Sequence, residues 1–376
     1  MNKDRIVVVG GYGAVGRGVC EELGRQFPGK VYAAGRNLER AERFCRGTEG
    51  RVLPMRLDIG RPVDPEALAG VRLVVMCLDQ RGIVFMRACL LSGIHYIDVS
   101  ANLSFLARAE ALRELAERGG STAVMNAGLA PGVTNLLALE AHRRLDRTEE
   151  IEITILLGLG DRHGKAAVEW TVDNLRARFE ITRHGRTELA GSFTDARVAD
   201  FRGAIGRKRA YRFPFSDQRS LPVTLGVPSV STRLCFDPAA ATTLLAAARK
   251  LGLGSLLGLK PVRSAAIACF GRMRLGSDRF VVQVEAIGEK DGKAAVAEYR
   301  LQGRRQSELT ARCALDVAEA VYRTALPGGV FSIEQLLDWQ GMSRLKEEPL
   351  ETEIRSLGDM DRGKGAAAIT ERGKRR

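Results

Sequence analysis

The chain has 376 residues, more than the ~250–300 at which a single core stops growing, so two domains are expected. Apolar residues make up 45% and charged residues 27%, ordinary globular values that exclude a disordered or fibrous chain; no apolar run reaches the ~20 residues a membrane-spanning helix needs. The net charge of +13 raises nucleic acid as a partner, but the basic residues are spread along the chain and the aromatics (6%) do not interleave with them, so an acidic cofactor or substrate is the better expectation.

The N-terminus, Met1-Asn2-Lys3-Asp4-Arg5, leads directly into the first strand, so no signal peptide is expected. That strand, Ile6-Val7-Val8-Val9, runs into Gly10-Gly11-Tyr12-Gly13-Ala14-Val15-Gly16 and then a helix over 15–25. This is a Gly-x-Gly-x-x-Gly turn in the context that a dinucleotide-binding fold requires. Gly11 is expected to allow the tight turn, Gly13 to let backbone approach a pyrophosphate, and Gly16 to let the helix pack on the strand. Tyr12, Ala14 and Val15 complete the phosphate-binding turn, whose helix N-terminus offers free N–H groups to an anion. The second strand, over 31–34, ends at Gly35-Arg36-Asn37 without the acid that would hold a ribose 2′-hydroxyl. A guanidinium there suits a 2′-phosphate, so NADP is the expected cofactor, with NAD as the alternative.

Strands over 52–57, 73–78, 95–99 and 123–126 then alternate with helices over 83–91 and 103–118, the signature of a parallel sheet. Ligands in such a sheet lie beyond the carboxyl ends of the strands. Asp58, after the third strand, is placed to accept from an adenine amino group or to anchor a turn; Cys77 and Leu78 follow the fourth. Asp98, at the end of the fifth, is the first candidate for moving a proton, with Tyr96 on the same strand face and His95 on the other. The run Gly128-Leu129-Ala130-Pro131-Gly132-Val133 breaks the rhythm and opens a helix over 134–145, capped by Thr134 or Asn135. Gly128 and Asn135 are expected to line the nicotinamide pocket, a purely structural crossover being the alternative.

The character changes near residue 148. A strand over 151–158 leads through Gly158-Leu159-Gly160-Asp161-Arg162-His163-Gly164-Lys165 into a helix over 166–178. Leu159 and Ala166 stand where a nucleotide-triphosphate loop needs Gly and Ser or Thr, so that reading fails. The turn still offers Arg162 and Lys165 to a substrate carboxylate and His163 to proton transfer; Trp170 would wall the pocket or join the core. Residues 181–235 read as irregular strands, in which Arg233 is a weaker anion-binding candidate. Asp237-Pro238 starts a helix running to 251 with Asp237 as its cap, 280–288 and 293–302 form a hairpin about Asp291-Gly292, and 307–326 is a helix rich in small residues that returns to the first domain. The seven cysteines (20, 45, 77, 89, 235, 269, 313) are scattered and the four histidines are far apart, which fits a reducing cytoplasm and provides no metal site. The basic tail over 359–376 is expected to be disordered.

The glycine turn, Ala34-Gly35-Arg36, Gly93-Ile94-His95-Tyr96-Ile97-Asp98-Val99-Ser100, Gly128-Leu129-Ala130-Pro131-Gly132-Val133-Thr134-Asn135 and Leu326-Pro327-Gly328-Gly329-Val330 occur in this order. Together they resemble the saccharopine dehydrogenase-like family, over roughly residues 5–340 and most strongly over the first 137. The resemblance implies an α/β chain: a Rossmann NADP-binding domain (1–137), an α/β mixed-sheet substrate and dimerisation domain (138–305), and a helical return to the first domain (306–345). It also implies a small-molecule substrate, hydride transfer at a C–N bond of an amino acid or opine, and a homodimer, with no nucleic acid and no membrane partner. Ala130 stands where the saccharopine reductase pattern has Asp, so the chain looks closer to the lysine 6-dehydrogenase branch. The competing readings are a non-catalytic NADP-binding regulator and an oxidoreductase acting on a lipid or polyamine intermediate. A short-chain dehydrogenase is excluded, since no Tyr has Lys four residues on.

Overall fold

A computed structural model describes residues 3–80, 82–161, 164–272 and 275–356. Its first half is β1 (Arg5–Val9), α1 (Ala14–Gln26), β2 (Val31–Gly35), α2 (Leu38–Cys45), β3 (Val52–Arg56), β4 (Val71–Met76), α3 (Val84–Leu91), β5 (His95–Asp98), α4 (Leu103–Glu110), α5 (Arg113–Arg118), β6 (Thr122–Met125) and α6 (Val133–Arg143). The second half is β7 (Arg147–Gly158), α7 (Lys165–Asn174), β8 (Arg178–Arg183), β9 (Arg186–Gly191), β10 (Arg197–Asp200), β11 (Arg207–Arg212), α8 (Asp217–Thr224), β12 (Ser229–Asp237), α9 (Ala239–Lys250), α10 (Lys260–Arg272), β13 (Arg279–Lys290), β14 (Lys293–Arg304), α11 (Gln306–Arg323), β15 (Gly329–Ser332) and β16 (Leu350–Ser356).

Seven parallel strands form the first sheet, in the order β15-β6-β5-β4-β1-β2-β3. The β-branched runs of β1 and β4 lie at its centre, buried on both faces as a parallel sheet demands. The strand order reverses between β1 and β4, which puts the crevice for a dinucleotide beyond Val9 and Met76. β15 is a late addition: after the whole second half, the chain comes back to pair Val330 with Ala123 on β6. α11 returns with it and lies along α1, where Gly18 and Ala311 are small enough for close approach. The Tyr322 hydroxyl donates to the Asp4 carbonyl at 3.0 Å, and Arg323 donates to Gln26 at 3.2 Å.

The second sheet is mixed, in the order β10-β11-β12-β7-β13-β14-β16, with only β12 and β7 parallel. One face (Ile151, Ile153, Ile155, Val282, Val284, Ala297) joins the core under α6. The Asp291-Gly292 hairpin is present and longer than the alternation suggested, twelve residues a strand.

Several local expectations are corrected. The helix read over 103–118 is two, since α4 ends at Glu110 and α5 begins at Arg113. Asp237 does not cap α9; its carboxylate accepts from the Ser277 N–H (3.0 Å) and hydroxyl (2.7 Å), and the helix starts after Pro238. α6 is capped by Gly132, not by Thr134 or Asn135. The tail over 359–376 lies outside the described residues. Among the described residues no helix is long and apolar enough to cross a membrane.

Candidate functional site

The glycine turn is built as a dinucleotide turn, with one exchange of roles. Gly10, at φ +80°, takes the left-handed conformation that the tight turn needs, so that role belongs to Gly10 and not to Gly11. Gly11 is required for another reason: a Cβ there would stand 2.7 Å from the Ala33 Cα on β2. A Cβ on Gly16 would run into the Gly10 carbonyl oxygen, so Gly16 does allow α1 to close on β1. Gly13 caps α1 and no side chain caps its first turn, while Ala14 is exposed and Val15 half-buried. The donors of that turn are thus left for an anion, and a pyrophosphate fits. Leu78, after β4, packs beside Gly10 and closes the other wall of the crevice.

Tyr12 folds over the end of β2, its hydroxyl accepting from the Asn37 N–H at 3.2 Å. The Arg40 guanidinium stacks 5.2 Å from the Tyr12 ring centre. Arg36 is exposed at the strand end, and among the described residues it has no ion-pair partner. Asn37 is a helix cap, accepting from the Arg40 N–H at 2.9 Å. Arg40 and Arg43 line a hollow of about 500 Å³ with Tyr12, Arg17 and Phe44. Neither arginine was singled out from the sequence, although their i, i+3 spacing puts them on one helix face. Asp58 is a turn anchor, accepting from the Gly60 N–H at 3.1 Å with Arg61 at 3.7 Å.

Beyond β4 and β5 the proton-transfer candidates are buried. Tyr96 and Asp98 share a strand face, as alternation requires, but that face looks into the core under α3 and α4. The Tyr96 hydroxyl donates to Gln80 Oε1 (2.9 Å) and Gln80 Nε2 donates to Asp98 (2.7 Å), so Gln80, unnoticed in the sequence, bridges the pair. The other Asp98 oxygen accepts from the Ser100 N–H at 2.6 Å. Burial pushes the Asp98 carboxyl up to about 6 against these hydrogen bonds. Tyr96, wholly buried with Phe85 edge-on to its ring, is corrected to a core residue. Asp98 anchors the loop 98–102 at the crevice. His95 accepts from the Thr122 N–H at 3.0 Å, a packed sheet histidine whose pKa burial lowers. Cys77 is held as a thiol, burial pushing it up to about 12.

Gly128 lies against the Val99 carbonyl and the Thr310 methyl, which places the 128–132 turn between β5 and the start of α11. Asn135 is corrected from a pocket residue to a buried fastener. Its Oδ1 accepts from the Gly132 N–H (3.1 Å), and its amide donates to Ser220 (3.1 Å) and Glu334 (2.9 Å). Asn126 donates to Ser332 (2.8 Å) and accepts from Ser216 (2.9 Å) in the same network, which joins β6, α6, α8 and β15.

In the second half, Gly158 and Gly160 are glycines because the backbone at 276–277 crosses them, so this part of the turn is not a carboxylate cradle. Arg162 and His163 lie outside the described residues. Lys165 is exposed at the start of α7, 3.7 Å from Glu169, and the Gly164 beside it meets Ala14 of the glycine turn. Trp170 joins an aromatic cluster with Phe213 and Phe215, both at 5.3 Å. Arg233 is corrected: buried, it pairs with Glu152 and with Asp195 (2.9 Å), and binds the Asp195 carbonyl (2.9 Å). No anion can reach it without stranding those carboxylates.

Residues 6–124 match the family described as the saccharopine dehydrogenase NADP-binding domain. In fold, the chain is similar to apo saccharopine dehydrogenase (L-Glu forming) from Saccharomyces cerevisiae, at 13% identity and TM-score 0.65 over 93% of this chain and 100% of that one. It is less similar to DAP dehydrogenase of C. glutamicum (17% identity, TM-score 0.45, 90% and 95% covered) and to amine dehydrogenase from Mycobacterium smegmatis (12%, 0.44, 89% and 96%). No curated protein matches the chain.

Proposed function

We propose that the chain, whose residues 6–124 match the saccharopine dehydrogenase NADP-binding domain, is an NADP-dependent oxidoreductase acting at the C–N bond of an amino acid or opine-like substrate. The observation that carries this reading is the crevice at the β1–β4 reversal. There the uncapped first turn of α1 awaits a pyrophosphate, and Arg36 and Arg40 stand with Tyr12 where a 2′-phosphate would lie. The cofactor, when bound, supplies the hydride acceptor or donor. The chain's own part is to hold the phosphates on the 10–16 turn and to place the loops 98–102 and 128–132 at the far end of the crevice. Gly164, against Ala14, brings the start of α7 beside the glycine turn. Because Asp98 and Tyr96 are buried, Lys165 beside Gly164 is the cation to test for carboxylate binding, and the sequence candidates Arg162 and His163, outside the described residues, are to be tested with it.

One observation favours a second reading, a non-catalytic NADP-binding protein: Asp98, Tyr96, Asn135 and Arg233 are all satisfied inside the protein and none projects into a cleft. Titration with NADPH and NADH, alone and in Arg36→Ala and Arg40→Ala, tests the cofactor assignment; each variant is expected to weaken NADPH by about 10–100-fold and NADH little, from the loss of a charge-assisted contact. A screen of amino acids with NADP, and of 2-oxo acids plus amines with NADPH, then separates the readings. Tight NADPH binding with no turnover on any of them favours the second.

A further inference from the structure

Between Asp237 and Asp278 the chain has no acidic residue, yet it carries Arg249, Lys250, Lys260, Arg263, Arg272 and Arg274. The segment is helical, α9, a 3₁₀ stretch and α10, and it is bound loosely to the protein: Thr242 is the only buried residue of α9 and none of α10 is buried. Ala241, Leu245, Ala246 and Phe270 pack on the core, but most of its leucines face outward. Among the described residues thirteen large apolar side chains are exposed, and six belong here: Leu244, Leu251, Leu253, Leu256, Leu259 and Leu275, 46% to 73% exposed. Leu251, Leu253, Leu256 and Leu259 fall within nine residues, between Lys250 and Lys260. Arg263 is paired with Asp173 (2.5 Å) and Arg249 binds the Ser192 carbonyl, whereas Lys250, Lys260 and Arg272 are exposed.

We propose that the surface formed by α9, the 3₁₀ stretch and α10 (residues 239–272) docks on an anionic lipid bilayer, with the leucines entering the acyl boundary and Lys250, Lys260 and Arg272 meeting the headgroups. Leucines grouped between exposed cations are the arrangement that binds strongly to such an interface; the acids nearest it, Asp173 and Glu169 on α7, sit at Arg263 on α10, and Asp173 is neutralised there by its ion pair. A second copy of the chain is the poorer occupant, because two faces of this composition repel each other. That no helix among the described residues is long and apolar enough to cross a membrane is a different matter from docking on the surface.

The test is co-sedimentation of the full chain with vesicles of phosphatidylcholine alone and with about one-third phosphatidylserine. Binding to the anionic vesicles is expected, weak on the neutral ones and reduced at about 1 M salt, where charges are screened within about 3 Å. Leu251→Asp with Leu256→Asp is expected to lower it at least about tenfold, since each leucine contributes buried apolar area. Lys250→Glu with Lys260→Glu is expected to lower it as well. Unchanged melting temperatures and NADPH titrations show that the variants are folded. No sedimentation with either vesicle overturns the proposal. So does sedimentation that the leucine variant leaves unchanged, because a net charge of +13, or an affinity for acidic macromolecules in general, then accounts for it.

Discussion

Replacing Asp98 by Asn should make the protein more stable at neutral pH and leave it nearly unchanged only below about pH 4. Burial raises the Asp98 carboxyl from 3.8 to about 6, so the folded state holds this proton more tightly than the unfolded chain does. Folding therefore takes up a proton across that window, and stability is greatest below about pH 4 and falls as pH rises through about 6. At about 1.4 kcal/mol per pH unit the full loss is about 3 kcal/mol, of which about 2 kcal/mol accrues between about pH 4 and about pH 7. Asparagine has no proton to lose. Its carbonyl keeps the Ser100 N–H, its amide donates to Gln80 once that side chain flips, and Gln80 then donates to the Tyr96 hydroxyl, which can accept. The other buried carboxyls, Asp217 at about 6 and Glu152 at about 7, are common to both proteins and cancel. Urea unfolding of the two proteins at a series of pH values measures the difference directly. Parallel curves would show that Asp98 is solvated in the folded protein, and would restore it as a candidate for proton transfer.

Gly16→Ala is expected to cost about 1–3 kcal/mol and to abolish NADPH binding, because the new methyl meets the Gly10 carbonyl and pushes α1 off β1; thermal melts and a fluorescence titration check both. Arg233→Ala should destabilise by less than the ~3–5 kcal/mol of a fully stranded charge, since buried Glu152 loses its closer cation and keeps only Arg197 at 3.1 Å. Adding Glu152→Gln should recover most of that loss in the same melt, with NADPH affinity unmoved throughout; a change in substrate KM without a loss of stability would return Arg233 to the binding site.

The first sheet was readable because both of its signals are local. Ile6 to Val9 announce a strand buried on both faces, and the glycines after them are dictated by atoms within the same βαβ unit. The site was readable only to that depth. Strand alternation correctly put Tyr96 and Asp98 on one face, but β5 is covered on both, so alternation pairs residues without saying which of them meets solvent. Gln80 and Ser332 bear no motif; they matter because the fold brings them to Asp98 and Asn135 from residues 18 and 197 positions away. β15 was missed for the same reason: four residues beside a glycine make a strand only because β6 offers them an edge.

The second sheet defeats a period-2 reading because its polar face is also inside. Glu152, Glu285, Glu298 and Glu353 stand directly opposite one another across β7, β13, β14 and β16, an arrangement that repels itself unless cations are interleaved. They are: Arg197, Arg202, Arg233 and Arg355 each reach into the row, and Arg300 holds Glu351 in the row beside it. The chain at 199–205 then lies over this face, with Phe201 packed on Leu156 and Val281 and its carbonyl taking Arg300. Arginines that look in sequence like anion sites are here internal counter-ions. Two groups of cations outside this network stand where an acidic ligand is proposed, Arg36, Arg40 and Arg43 beside the glycine turn and Lys250, Lys260 and Arg272 on the helical surface of α9 and α10. A charge of +13 therefore says less about the chain's partners than where its unspent part lies.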